Sequence, residues 1–146
     1  MKYQRQLVFP HRPVNNQHGD CFRTCVACML DMDAADVPNF AENDASTDEF
    51  WGRIQDWFAG LVLYLLCVPL DGAMSQEDVL TTIGTMNPGC RYMLGGHSPG
   101  GTSHVVVCLD EKMEWDPSPV GSGLDGPTSE SGDEKLWWVY MIGSKV

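Results

Sequence analysis

The chain has 146 residues, of which 43% are hydrophobic, and this is enough for one domain with a core but not for two. Nine basic residues stand against 20 acidic residues and leave a formal net charge of −11. We therefore expect no nucleic-acid partner, because affinity for nucleic acids depends mainly on basic side chains.

The N-terminal sequence has no long apolar core and no small-residue cleavage pattern, so it does not resemble a signal peptide. The longest apolar run, residues 61–70, is too short to span a bilayer. Six cysteines in a chain without an export signal are typical of reduced thiols. These features predict a cytoplasmic protein that has no membrane partner.

The first elements are predicted from alternation and from cysteine spacing. Residues 3–9, YQRQLVF, alternate in polarity and predict an edge strand, which a polar loop over 14–20 follows. From Cys21 to Met32 the cysteines and the methionine recur at spacings of four, three and four, which predicts one face of a helix. Asp20 precedes this helix and is predicted to be its N-cap.

Two further helices and a strand are predicted in the middle of the chain. Residues 44–61 form an amphipathic pattern that begins at a cap, Ser46 or Thr47. The apolar run at 61–68 predicts a buried strand, and residues 75–86 predict a helix capped by its first serine.

The rest of the sequence predicts strands and one loop. The β-like runs are residues 90–96, 103–110, 113–116 and 136–142. The segment 117–133 is rich in Gly, Ser and Asp and is predicted to be a flexible loop. Helices that precede an antiparallel set of strands predict a single α+β domain over residues 1–146.

Cys21, Cys25 and Cys28 lie within eight positions and allow three interpretations. CxxxCxxC is the cluster-binding spacing of radical enzymes that cleave S-adenosylmethionine, but those enzymes use a much larger partial barrel. A zinc site needs a fourth His or Cys ligand nearby, and the sequence offers none. The third interpretation is burial in the core, which suits Cys25 and Cys28 because they lie one and two turns inside the helix.

Cys21 differs because it begins the predicted helix. The helix dipole and the free N–H groups of the first turn stabilise a thiolate there. His104 begins the most strand-like run, and Asp116 ends the next short strand. A turn at 110–112 would form a hairpin from these strands, so that Asp116 would orient the His104 imidazole and His104 would act as a base for Cys21.

The motifs "DCFRTCVACML" and "SHVVVCLDEKMEWDP" resemble the papain-like superfamily of cysteine hydrolases, and among them the leader peptidases fused to bacteriocin transporters. The chain also looks like small bacteriophage and bacterial proteins of this type, which would place it in a host cytoplasm if it is phage-encoded. The resemblance implies a papain-like fold, in which an N-terminal helical part carries the nucleophile helix packed on an antiparallel sheet. It assigns Cys21 as nucleophile, His104 as base and Asp116 as orienting acid.

The superfamily usually has a Gln about six residues before the nucleophile, and its amide binds the oxyanion. In this sequence that position is Asn15, whereas Gln17 lies four residues before Cys21. Either amide meets the requirement for a donor, and the residue type favours Gln17. Among the other histidines, His18 is an alternative base by proximity, and His97 belongs to a loop near the mouth of the cleft.

The sequence therefore predicts a cysteine hydrolase that cleaves a peptide, isopeptide or amide bond through an acyl-enzyme intermediate, with a peptide or protein as its substrate. This chemistry requires no metal and no organic cofactor. The alternative is a papain-like domain that has lost catalysis and acts as a binding module, for example a phage protein that inhibits a host factor.

Overall fold

The structure is a computed structural model, and it describes residues 1–9, 11–12, 15, 19–43, 45–128 and 134–146. In chain order its elements are α1 (Cys21–Met29), a 3₁₀ helix (Ala34–Asp36), α2 (Thr47–Gly60), β1 (Leu63–Asp71), α3 (Gln76–Met86), β2 (Arg91–His97), β3 (Ser103–Leu109), β4 (Lys112–Trp115) and β5 (Leu136–Ser144). These elements confirm the predicted α+β class.

The strands of the described residues form one sheet in the order β1-β5-β2-β3-β4, and every pairing is antiparallel. Strands β3 and β4 form the predicted hairpin, with Asp110 at the turn in the left-handed region at φ 51°. The register shifts between Val107 and Cys108. Because β4 runs back along β3, the hairpin returns the chain towards His104.

Both predicted serine caps are confirmed. The Ser46 hydroxyl accepts a hydrogen bond from the Glu49 backbone N–H at 3.2 Å, and the Glu49 carboxylate accepts one from the Ser46 N–H at 2.7 Å. The Ser75 hydroxyl accepts from the Asp78 N–H at 3.1 Å. These bonds satisfy donors that lack partners inside the helix, so α2 and α3 begin where the sequence predicts.

Helix α1 packs its cysteine face against the sheet. Cys25 and Cys28 are fully buried, and the Cys25 thiol lies 3.3 Å from the Val105 carbonyl oxygen of β3. The predicted burial of these two cysteines in the core is therefore confirmed. The helix covers the part of β3 that follows His104.

Asp20 is the N-cap residue of α1, as predicted, and its backbone carbonyl accepts the Thr24 N–H at 3.0 Å, but its carboxylate does not cap the helix. Within the described part of the chain its side chain makes no capping hydrogen bond to α1. The buried carboxylate accepts hydrogen bonds from the backbone N–H groups of Leu7 and Val8 at 3.2 and 3.0 Å and from the Arg23 guanidinium at 2.9 Å. The Asp20 carboxylate binds these donors instead of the N–H groups of the first helical turn, because together they replace the water that the carboxylate loses on burial.

The predicted edge strand at 3–9 is also wrong. The segment belongs to no strand of the described chain, and it bends at Leu7 and Val8. Its alternation turns Gln4 inward, whereas Tyr3 and Leu7 are 54% and 59% exposed. The Gln4 side chain bonds to backbone groups, donating to the Met32 carbonyl at 2.6 Å and accepting from the Ala34 N–H at 2.8 Å. The polar side chain of Gln4 therefore satisfies backbone groups of the loop that follows α1.

Residues 117–128, the described part of the predicted loop 117–133, are attached to the sheet near their end. Gly126 forms a bridge with His97, and Thr128 forms one with Leu136. Residues 129–133 lie outside the described residues. Among the helices described here, none combines the length and the apolar character needed to cross a membrane.

Candidate active site

A cleft of about 1030 Å³ opens where the start of α1 meets the start of β3. Cys21 and His104 both line it, together with side chains of α2, β5 and the turn between β2 and β3. The structure thus brings together two residues that are 83 positions apart in the sequence, as the hypothesis of a reactive thiol requires.

His104 and Asp116 form the hydrogen bond that the hairpin was predicted to create. The imidazole Nε2 lies 2.7 Å from Oδ1 of Asp116, and both side chains are buried. Because Asp116 occupies Nε2, the other ring nitrogen, Nδ1, is available to the Cys21 thiol. This is the arrangement in which a carboxylate sets the tautomer and the orientation of a catalytic imidazole.

The Asp116 carboxylate is held from three directions. Oδ1 also accepts the backbone N–H of Ser118, and Oδ2 accepts that of Gly123, each at 2.8 Å. Burial raises the pKa of Asp116, but the hydrogen bonds from His104, Ser118 and Gly123 outweigh burial and lower the pKa below its ordinary value. Asp116 therefore remains ionised beside the imidazole. The guanidinium of Arg5 donates to the backbone carbonyls of Asp116 and Ser118, at 2.8 and 2.6 Å, and so fixes this loop.

The pKa of His104 is raised to about 9. Burial lowers this pKa, but hydrogen bonds with Asp116 and with Cys21, and the negative charges of both groups, outweigh burial. The imidazole is therefore protonated at neutral pH when the Cys21 thiolate is beside it. An imidazolium paired with a thiolate is the form in which a cysteine is nucleophilic and its partner can donate a proton.

Cys21 is half-buried and is the first residue of α1. The N–H groups of the first helical turn have no partner inside the helix, and the positive end of the helix dipole lies there. Both features favour negative charge at the sulfur or at an oxygen bound beside it. Cys21 thus has an imidazole on one side and a helix N-terminus on the other.

Of the two side-chain amides predicted to bind the oxyanion, only Asn15 lies among the described residues. Gln17 lies outside the described residues, as does His18. Asn15 is exposed, and its backbone N–H donates to the Arg12 carbonyl at 2.9 Å. Asn15 does not line the cleft as the structure describes it.

A third amide, Gln6, does line the cleft. Its side-chain nitrogen donates to the Val8 carbonyl at 3.2 Å, and its buried side-chain oxygen has no hydrogen-bond partner among the described residues. The Gln6 backbone N–H donates to the Pro117 carbonyl at 2.9 Å. Leu7 and Val8, which follow Gln6, donate to Asp20, so the segment connects the residue before Cys21 to the residue after Asp116.

Sequence reasoning missed Gln6 because the segment was predicted to be an edge strand. The only signal in the sequence is the alternation that places Gln4 and Gln6 on the same side of an extended chain. Nothing in that alternation indicates which side faces the cleft.

His97 and His11 differ in whether they line the cleft. The His97 imidazole lies 3.9 Å from the Asp125 carboxylate, and its backbone N–H donates to the Gly126 carbonyl. His97 does not line the cleft in the described structure. His11 does line it, and its Nδ1 accepts the Gly19 N–H at 2.8 Å.

No group of three or more His, Cys, Asp or Glu residues able to hold a metal ion occurs among the residues described. The comparisons with known proteins give no assignment: no family model matches the sequence, and no curated protein or solved structure matches it significantly. The geometry of Cys21, His104 and Asp116 is therefore the basis for any functional conclusion.

Proposed function

We propose that the protein is a papain-like cysteine hydrolase that cleaves a peptide, isopeptide or amide bond through an acyl-enzyme intermediate. The observation that carries the proposal is that His104 interacts with both Cys21 and Asp116 at the wall of a cleft. A buried histidine has no structural need for a thiol on one side and a carboxylate on the other, whereas nucleophilic catalysis needs both.

In the first half of the proposed reaction the Cys21 thiolate attacks the carbonyl carbon of the substrate. A C–S bond forms while the carbonyl π electrons move to oxygen, which becomes the oxyanion. The His104 imidazolium then gives its proton to the leaving nitrogen. The C–N bond breaks, an amine leaves, and a thioester on Cys21 remains.

In the second half neutral His104 takes a proton from a water molecule, which attacks the thioester. The C–S bond breaks, a carboxylic acid is released and the thiolate returns. Asp116 holds the imidazole orientation in both halves and stays ionised. The Cys21 N–H and one amide, from Gln6 or Gln17, would bind the oxyanion.

The test uses p-nitrophenyl acetate, because its small acyl group makes few demands on the cleft. Wild type should release p-nitrophenolate in a burst equal to the enzyme concentration, and peptide mapping should find one acetyl group on Cys21. Cys21→Ser should lose the burst and keep its circular dichroism spectrum, because the side chain begins the helix and packs only partly. The matched control is Cys90→Ser, which changes an exposed cysteine outside the described cleft and should keep the burst.

A burst that survives in Cys21→Ser, or an acetyl group found on Cys90, would contradict the proposal. The binding-module alternative would then be preferred. The predicted location in the cytoplasm, and in a host cytoplasm for a phage-encoded chain, remains part of this proposal.

A further inference from the structure

One side of the cleft is a continuous aromatic surface. Phe50 and Trp51 of α2 are 5.2 Å apart between ring centroids, and Trp51 lies 6.0 Å from Tyr140 of β5. Trp138 stacks on Tyr140 at 6.5 Å with an interplanar angle of 12°. All four residues line the cleft that contains Cys21. We call Phe50, Trp51, Trp138 and Tyr140 the aromatic wall.

The strand beneath the aromatic wall has no side chain at the point of contact. A Cβ atom at Gly95 would lie 3.2 Å from Tyr140 Cε2 and 3.3 Å from Trp138 Cβ. Both separations are tighter than ordinary contacts, so a larger residue would displace the Tyr140 ring and the Trp138 side chain. Gly95 therefore allows the rings to lie close to β2 and to present an apolar surface to the cleft.

The charges around the cleft differ from those of the whole protein. The chain carries 20 acidic and nine basic residues, yet no Asp or Glu is among the described residues that line the cleft. The groups there that carry or accept positive charge are Arg12, His11 and His104. Aromatic faces attract cations, but Arg12 and the protonated His104 imidazole repel a cation and no described carboxylate offsets this repulsion. The described lining therefore suits an uncharged apolar group better than a lysine or arginine side chain.

We infer that the substrate is a peptide with a large, uncharged, apolar side chain next to the bond that is cleaved, and that the aromatic wall binds this side chain. The inference rests on the proposed hydrolase function. An aromatic or long aliphatic group gains most from burial against rings. A basic side chain would lose hydration at the aromatic wall without gaining a described carboxylate.

The experiment compares two reagents with the same reactive group. Tosyl-phenylalanyl chloromethyl ketone carries a benzyl side chain, and tosyl-lysyl chloromethyl ketone carries an ammonium group. In each reaction the Cys21 thiolate forms a C–S bond at the methylene carbon, and chloride leaves. Rates of Cys21 modification, each divided by the rate of the same reagent with glutathione, should favour the phenylalanyl reagent at least tenfold.

Variants on one helix test whether the aromatic wall causes this preference. Trp51→Ala should reduce the preference to less than threefold. The matched control is Trp57→Ala, because Trp57 also lies in α2 and is partly buried, but packs against Phe40 and Phe58 and does not line the described cleft. The control should keep the wild-type preference. If Trp51→Ala does not fold, Trp138→Ala tests the opposite end of the aromatic wall with the same expectation.

Equal normalised rates in wild type, or a faster reaction with the lysyl reagent, would overturn the inference. So would a preference that persists in both Trp51→Ala and Trp138→Ala. Iodoacetamide separates this failure from failure of the proposed function. If iodoacetamide modifies Cys21 faster than it modifies the exposed Cys90 while the two ketones react equally, only the substrate inference fails. If Cys21 reacts no faster than Cys90 with iodoacetamide, the hydrolase proposal fails, and the inference fails with it.

Discussion

The two ends of the cysteine face of α1 contain the same residue type in opposite environments. Cys21, at the first position of the helix, lines the cleft and interacts with His104. Cys25, one turn later, is fully buried, and burial raises its pKa well above the ordinary value, with the nearby Cys21 and Cys28 thiols adding to the effect. Burial likewise raises the pKa of Cys28.

This difference shows that helical spacing alone does not assign a role to a thiol. Periodicity places all three cysteines on one face. Strand β3 covers Cys25, whereas the N-terminal segment contacts Cys28, with the Lys2 N–H donating to the Cys28 carbonyl at 3.2 Å. At the helix start the sheet gives way to the cleft. Of the three cysteines, only Cys21 has both the His104 imidazole and the N-terminus of the helix beside it.

The largest effect on the reactivity of Cys21 should come from removing the His104 imidazole. His104→Ala should slow the alkylation of Cys21 by iodoacetamide at neutral pH by about tenfold or more, because the thiolate loses its imidazolium partner and only a few per cent of an unassisted thiol is ionised at neutral pH. The rate is measured by mass spectrometry of the Cys21 peptide, with the exposed Cys90 as internal reference.

A companion variant refines this test. Asp116→Asn should affect alkylation less than His104→Ala does, but should strongly reduce turnover of p-nitrophenyl acetate, because it disturbs the imidazole tautomer and leaves the imidazole in place. If wild type and His104→Ala have the same alkylation rate at every pH, then His104 and Cys21 are not a catalytic pair.

A change at the buried Cys25 should lower the stability of the protein and leave the reactivity of Cys21 unchanged. Cys25→Ser places a hydroxyl where the sulfur lies 3.3 Å from the Val105 carbonyl, which is too long for a good O–H···O hydrogen bond. We expect the free energy of unfolding to fall by about 1–3 kcal/mol, measured by urea denaturation. Cys21→Ser should change the free energy of unfolding much less, and equal losses in both variants would mean that Cys21 also belongs to the core.

A titration of His104 tests the contact between the two groups. In wild type the imidazole should titrate near pH 9, because its hydrogen bonds and charge interactions outweigh burial. Cys21→Ser removes the contribution of the thiol and should lower the pKa of His104, leaving Asp116 as the remaining partner. The signal is the imidazole chemical shift in NMR spectra recorded against pH, and an unchanged pKa would contradict the contact.

The raised pKa of His104 makes the stability of the fold depend on pH. The pKa of His104 is raised from 6.5 to about 9 in the folded protein, so folding favours the protonated imidazole. Its contribution to the free energy of unfolding is complete below pH 6.5 and is lost as the pH rises through about 9. Asp116 acts in the opposite direction. Its lowered pKa gives a contribution that is present at neutral pH and is lost as the pH falls through the folded-state value.

The smallest effect is expected from His97. Its ring lies near Asp125 and it does not line the described cleft, so His97→Ala should leave the pH profile of Cys21 alkylation unchanged within about twofold. This variant is the matched histidine control for His104→Ala. If His97→Ala changes the pH profile as much as His104→Ala does, the assignment of His104 as the base is wrong.

The sequence by itself determined the local elements and the chain order of the site. The caps at Ser46 and Ser75, the hairpin after His104 and the burial of Cys25 follow from patterns of a few neighbouring residues. Such patterns are readable because a cap, a turn or a helical face depends on groups close together in the chain. The pairing of His104 with Asp116 was predictable for the same reason, since a hairpin joins them.

Only the tertiary structure decided what the N-terminal segment does. The alternation of residues 3–9 is compatible with a strand, but its hydrogen bonds go to Asp20 and to Pro117, which local sequence does not place nearby. Asp20 itself is a good cap by type, yet the donors that reach it come from this segment and from Arg23. The position of Gln6 in the cleft and the meeting of α2 with β5 in the aromatic wall likewise depend on contacts between distant parts of the chain. Periodicity predicts which face of an element is apolar or polar, and the identity of the partner is decided only when the elements pack.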